Sequence, residues 1–187
     1  MDFASSNINK YNEINKLVSA RKNSIMVTFK KMQLREIQSD SLLEVAENKA
    51  LQAFTINQKE IFVEDDGLFI EALNDFPSVY SSYVSKTIGN VGILDLLANK
   101  VNRKASFKSI IAFHDGHKIE SFTGEIKGEI PFELTNGGWG FDPIFLPENS
   151  DLTFGQMDLE TKNRISHRKV ALDKFLKWYL NQDQNDH

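Results

Sequence analysis

The sequence predicts an α/β fold on a central, twisted, mixed sheet flanked by helices, and three observations carry that prediction. Strand-like and helix-like segments alternate through the N-terminal half; a β-rich stretch follows with a turn signal in its middle; an amphipathic helix closes the chain. The alternation asks for parallel strands joined by helices. The hairpin in the β-rich stretch adds antiparallel pairing, which makes the sheet mixed.

Taken in order, MDFAS is a short apolar strand, and INKYNEINKLVSAR places Tyr11, Ile14, Leu17 and Val18 at helical spacing. IMVTFKKM has strand character, and SLLEVAENKALQAF has few helix breakers. IFVED and LFIEAL read as two further strands, and VGILDLLANK as a helix introduced by Gly89 and Asn90. ASFKSIIAFHDGHKIESFTGEIKGEI is the β-rich stretch, with Asp115-Gly116 as a two-residue turn. Past the glycine-rich loop NGGWG, Leu172, Phe175, Leu176 and Tyr179 fall at i, i+3, i+4 and i+7 of a last helix. The expected organisation is a single domain over residues 1–181 with a polar tail at 182–187.

Composition narrows the function. The chain has 187 residues, 41% hydrophobic and 26% charged, enough for one continuous core. A net charge of −4 argues against a general grip on nucleic acid, although one small anion can still meet local positive charge. With no cysteine, disulfides, thiolate metal sites and cysteine nucleophiles are excluded together. No apolar run approaches the ~18 residues that cross a bilayer, and MDFASSNINK lacks the basic and apolar regions of a signal peptide. The expectation is a cytoplasmic protein without a membrane or nucleic-acid partner.

Several stretches carry candidate chemistry. Glu64, Asp65 and Asp66 arrive together at an expected strand end, where pleating turns Glu64 and Asp66 one way and Asp65 the other. They are either a solvated strand end or a cation site, since unit charges ~4 Å apart repel by ~4 kcal/mol at an effective dielectric of ~20. Hard oxygen ligands beside a polyanion suggest magnesium. REIQSD adds Glu36 and Asp40 after another strand, and Asp40 or Ser41 can cap the next helix. SSNINK sets small polar residues at a helix start with Lys10 one turn in, which suits either an ordinary cap or a phosphate cradle.

ETKNRISHRK gathers Lys162, Arg164, His167, Arg168 and Lys169. In one unbroken helix Lys162 and Arg168 stand about 240° apart, so convergence on one anion needs a break, for which Ser166 is the candidate cap. Otherwise the stretch is a solvated basic surface. NGGWGFDPIF offers Trp139 and Phe141 beside Asp142, either as core aromatics or as a face that stacks on a base. His114 and His117 flank the turn with no further ligand nearby, which does not support a zinc site. Neither a P-loop nor a Rossmann fingerprint occurs.

Taken together these segments resemble the inosine triphosphate pyrophosphatase family, hydrolases of nonstandard purine nucleoside triphosphates. SSNINK is similar to that family's T-x-N-x-x-K loop, REIQ to P-E-x-Q, FVEDDGLFIEAL to E-D-[ST]-G-L, and FPSVYSSY to P-G-x-Y-S. GWGFDPIFLP resembles F-G-[YW]-D-P-x-F, and ETKNRISHRKVAL resembles E-K-N-x-x-S-H-R-x-x-A-L. Order and spacing hold from about residue 3 to residue 179.

The resemblance implies two lobes with an active-site cleft between them, a homodimer, and Mg²⁺-dependent cleavage of ITP, dITP or XTP to monophosphate and pyrophosphate. By position it makes Asp65 the catalytic base and a metal ligand, Glu36 a second metal ligand, and Glu64 a further metal candidate. Whether Asp65 acts alone or within the Glu64, Asp65 and Asp66 set is open at this point. Ser5, Ser6, Asn7, Lys10, Lys49 and Asp66 fall among the phosphate-facing positions. Trp139, Gly140, Phe141, Asp142, Lys162, His167 and Arg168 fall among the nucleotide-binding ones. Four positions depart from the pattern: Asp66 stands for Ser or Thr, Ser78 for glycine, Trp139 for phenylalanine, and Lys169 for a frequent glycine. A relative that prefers pyrimidine or other nucleotides, or a nucleotide sensor without turnover, is the alternative.

Overall fold

A computed structural model describes residues 1–21 and 25–182. Among them run six strands: β1 (Asp2–Ser5), β2 (Thr28–Lys31), β3 (Ile61–Ile70), β4 (Lys104–His114), β5 (Ile119–Glu129) and β6 (Leu146–Pro147). Six helices accompany them: α1 (Ile8–Ser19), α2 (Leu42–Asn57), α3 (Ser81–Lys86), α4 (Gly89–Leu96), α5 (Leu159–Ile165) and α6 (His167–Gln182). The strands form one sheet in the order β2-β1-β3-β4-β5-β6. β1 pairs in parallel with both β2 and β3, whereas β5 and β6 are antiparallel, so the sheet is mixed as expected.

Two expectations change. IFVED and LFIEAL are not two strands but one, β3, which runs without interruption through Glu64, Asp65, Asp66 and Gly67. The acids therefore sit in mid-strand and not at a strand end. What lets the strand continue is paired charge around the carboxylates, together with Gly67, where a Cβ would stand 2.6 Å from the Ser78 carbonyl oxygen. The second change is at the hairpin, where β4 and β5 are joined by residues 115–118 and not by a two-residue turn. Asp115 Oδ1 accepts from the amides of His117 (2.7 Å) and Lys118 (2.8 Å), and this side-chain closure accommodates the longer loop. So short a connection between neighbouring strands makes β4 and β5 antiparallel. Of the expected tail, Gln182 ends α6, and residues 183–187 lie outside the described residues.

The chain divides into two compact units. The first comprises Met1–Asp65, Ser109–Gly124 and the chain from Arg168 on; the second comprises Asp66–Lys108 and Glu125–His167. In the first, α1 and α6 supply Ile14, Leu17, Val18, Leu172, Phe175 and Leu176 to a core shared with Phe3, Phe62, Ile111 and Phe113. α2 buries Leu42, Val45, Ala46, Ala50 and Ala53, a stripe at helical spacing, which leaves Lys49 and Gln52 off the stripe. Ser41, not Asp40, is its cap: Ser41 Oγ accepts from the Glu44 amide at 3.3 Å.

The second unit has its own core of Leu68, Ile70, Phe107, Ile130, Phe141, Phe145 and Phe154, among others. Arg103, 7% exposed, donates to the carbonyls of Ile130 (2.6 Å), Leu97 (3.1 Å) and Pro131 (2.7 Å) and so ties three chain segments. Ser78 adopts φ 51°, a left-handed conformation that explains why a glycine suits that position. Among the described residues, no helix is long and apolar enough to cross a membrane.

Candidate functional site

In the first unit, α1 begins where the sequence predicts. Asn7 caps it, its Oδ1 accepting from the Asn9 amide at 2.9 Å, while Ser5 Oγ at the end of β1 accepts from the Asn7 amide at 3.0 Å. Ser6 is exposed between them. Lys10, one turn into α1, reaches β3: its Nζ lies 3.0 Å from Glu64 Oε2, 3.2 Å from the Glu64 carbonyl oxygen and 3.8 Å from Asp65 Oδ1.

From the other direction Lys49 of α2 reaches the same strand. Its Nζ is 2.7 Å from Asp65 Oδ2 and 2.7 Å from Glu36 Oε1. Glu36 lies on the irregular segment after β2, which carries no strand or helix of its own to hold it. Gln52 does that: Oε1 accepts from the Arg35 amide (3.0 Å) and Nε2 donates to the Arg35 carbonyl (2.8 Å). Gln52 was not among the expected site residues. Its position three residues after Lys49, on the same stretch of helix surface, is the signal that could have found it.

Glu64 is held deeper. Its side chain is 0% exposed, accepts from Ser109 Oγ at 2.6 Å and is 3.1 Å from Arg168 Nη2. Arg168, 1% exposed, also pairs with Glu13 of α1. Glu13, Arg168, Glu64, Lys10, Asp65, Lys49 and Glu36 thus form one chain of alternating charge within this unit. Neither Glu13 nor Ser109 was expected. A glutamate on the buried face of α1 beside Ile14 and Leu17 is the sign that a partner cation was required.

The second unit contains the aromatic half of the expected residues. The NGGWG loop folds back on Asp142, whose Oδ2 accepts from the Trp139 amide (3.0 Å) and from Lys162 Nζ (2.7 Å). Gly138, at φ +66°, makes that wrap possible, because a Cβ there would meet Asp142 Cβ at 2.5 Å. Gly140 is exposed, and its carbonyl accepts from Asn90 Nδ2 of α4 at 3.1 Å. Lys162 Nζ lies 5.2 Å from the Trp139 ring centroid and 5.7 Å from that of Phe154, within cation–π range.

The break expected at Ser166 is present. α5 ends at Ile165, Ser166 is extended, and α6 starts at His167. His167 is 2% exposed, stacked on Phe107 at 4.6 Å with a 9° interplanar angle, and its Nε2 is 3.8 Å from Asp66 Oδ2. Lys162 and His167 both border Phe154, whereas Arg168, which was expected to converge with Lys162, pairs with Glu13 and Glu64. Phe141 is 4% exposed within the second core, and Trp139 is the partly exposed aromatic of the pair.

Chemically, the first unit offers two carboxylates meeting on Lys49 of α2, with Lys10 nearby at the start of α1. The second offers an indole, an ammonium, an imidazole and two carboxylates set in an aromatic wall. Comparison with known proteins gives the chain a family. A family model described as Ham1 family matches residues 1–178. A dITP/XTP pyrophosphatase of Methanopyrus kandleri is 45% identical over 181 residues, covering 96% of this chain and 95% of that protein. One of Thermococcus kodakarensis is 52% identical over 149 residues, 79% of this chain and 80% of its own length. Among solved structures, a HAM1 protein from Coxiella burnetii matches with a TM-score of 0.82 at 28% identity, covering 96% of this chain and 98% of that one. The Staphylococcus aureus Ham1 protein matches with a TM-score of 0.80 at 26% identity, covering 98% and 100%.

Proposed function

The chain belongs to the Ham1 family, and from that premise we propose that it hydrolyses nonstandard purine nucleoside triphosphates. ITP, dITP and XTP are converted to the nucleoside monophosphate and pyrophosphate, which clears them from the cytoplasmic nucleotide pool. The observation that carries the reading in this chain is the meeting of Glu36 and Asp65 on a single ammonium, each oxygen 2.7 Å from Lys49 Nζ. Two hard carboxylate donors from separate segments, aimed at one cation position, fit a divalent ion such as Mg²⁺.

Glu36 and Asp65 would hold that ion. When bound it neutralises phosphate charge and polarises the phosphoryl group under attack. Ser5, Ser6, Asn7 and the amides at the start of α1 take phosphate oxygens, and Lys10 and Lys49 counter their charge. Asp65 accepts a proton from water as the water oxygen bonds to the α-phosphorus. The bond from that phosphorus to the α–β bridging oxygen breaks, and pyrophosphate leaves with the electron pair. Glu64 acts from behind: held by Ser109 and Arg168, it fixes Lys10.

Trp139 supplies the face against the purine, with Lys162 and His167 as donors toward its polar edge. A 6-amino group leaves such buried donors unmatched, which is the basis for rejecting ATP. The active form is a homodimer; Tyr83 (69% exposed) and Val91 (58% exposed), with Ile88 between them in sequence, give α3 and α4 apolar surface for a second copy.

The experiment is a panel of dITP, ITP, XTP, ATP, dTTP and UTP with Mg²⁺ and chromatographic identification of products. The expected result is monophosphate and pyrophosphate, with kcat/KM for dITP and XTP at least about a hundredfold above ATP. Preference for dTTP or UTP transfers the reading to pyrimidine substrates. ITP binding without product under single-turnover conditions makes the chain a sensor.

A further inference from the structure

We propose that Lys49 is a tethered cation that occupies the metal position until a triphosphate draws it away, so that metal and substrate binding are coupled through this one side chain. The inference rests on the metal-triphosphate reading above and deepens it.

Lys49 holds both carboxylates expected to bind the metal. Lys49 Nζ donates to Glu36 Oε1 and to Asp65 Oδ2, both at 2.7 Å, and the lysine side chain is 13% exposed. A magnesium ion held by the same two carboxylates would compete with the ammonium for them. Metal entry therefore requires Lys49 to leave. Lys10 stands 3.8 Å from Asp65 Oδ1 and is engaged with Glu64 at 3.0 Å.

Displacement is feasible because of how the elements are built. Lys49 projects from α2 off its buried stripe, on a flexible stem, so the ammonium can swing without disturbing the alanine face below. Glu36 is 53% exposed on its side chain and stays in place through the Gln52 clamp on Arg35. In the absence of substrate the evicted ammonium exchanges two carboxylates for water. With a triphosphate present it exchanges them for phosphate oxygens. Metal and triphosphate consequently favour one another, and by linkage each strengthens the other's binding by the same factor.

Metal binding to nucleotide-free protein tests this without turnover. Mn²⁺ titration followed by electron paramagnetic resonance is expected to show at least tenfold tighter binding in K49M and in the polar variant K49Q than in wild type, each checked for fold by circular dichroism. Binding that is unchanged or weaker in folded variants overturns the proposal, since Lys49 would then be a scaffold for the carboxylates and not their competitor. A measurement on wild type is independent of variant folding. Lysine acetylation read by mass spectrometry should rise severalfold at Lys49 when Mg²⁺ alone is added and fall again with Mg²⁺ plus inorganic triphosphate, while exposed Lys59 stays constant. No response of Lys49 to Mg²⁺ overturns the proposal. Turnover of dITP by wild type is scored separately, so loss of the functional reading and loss of the coupling are distinct results.

Discussion

Asp65 touches both lysines that reach β3, and its two oxygens are used differently: Oδ2 on Lys49 at 2.7 Å, Oδ1 toward Lys10 at 3.8 Å. Its replacement by Asn keeps size and shape but removes the negative charge that the proposed mechanism uses to accept a proton and hold the metal. Asp65→Asn is expected to retain the thermal transition and to lose at least about a thousandfold in kcat for dITP, measured by pyrophosphate release. Asp142 is a different case, because its carboxylate is spent on protein groups, the Trp139 amide and Lys162. Asp142→Asn leaves a buried ammonium without its counter-charge and loosens the loop that presents the indole. Loss of about 3–5 kcal/mol in denaturant unfolding, with a raised KM for dITP, is the expected outcome. Motif order groups both residues, whereas the geometry sets Asp65 between two lysines and Asp142 against a backbone amide and Lys162.

At the scale of elements, the fold class and the elements closest to periodic patterns were legible in the sequence. α1 with Ile14, Leu17 and Val18, α2 with its alanine stripe, and α6 with Leu172, Phe175 and Leu176 all announce themselves by spacing. β3 did not, because three acids in a row imitate a strand end. Their tolerance in mid-strand depends on cations from α1, α2 and α6, which no local window contains. Gln52 is equally non-local in effect: it holds the Glu36 segment across 17 residues of sequence. Gln52→Leu should preserve α2 but release Glu36, weakening Mn²⁺ binding about tenfold or more while the melting temperature changes by only a few degrees.

The β4–β5 hairpin carries a pH signature of its own. Burial pushes the Asp115 carboxyl up, yet the amides of Lys118 and His117 and the nearby positive charge outweigh it and hold it below the usual carboxylate range. A depressed folded-state value means the contribution is present above the ordinary pKa and lost as pH falls through the lowered one. Asp115→Asn should therefore flatten the acid limb of the stability curve below about pH 4. Thermal melts from pH 2 to 7 check this.

For the whole molecule, the comparisons agree on the family fold, and the proposed homodimer rests on apolar surface that the second unit exposes. Val91, three residues beyond Ile88, lies on α4 with 58% exposure. Val91→Glu is expected to shift a dimer to monomer in light scattering while each monomer keeps its circular dichroism spectrum. A wild-type monomer at micromolar concentration removes the dimer reading.

What the sequence by itself determined is the α/β class, the helical faces and the family, because periodicity and motif order are written locally in the chain. Tertiary structure alone decided that β3 is continuous, that Glu64 and Arg168 are interior supports bound to Ser109 and Glu13, and that Glu36 and Asp65 share one ammonium. The physical reason is the range of the forces involved. Helical and strand patterns arise between residues a few positions apart, whereas a buried charge is tolerated only where folding brings an opposite charge to it, here from as far as 155 residues away along the chain.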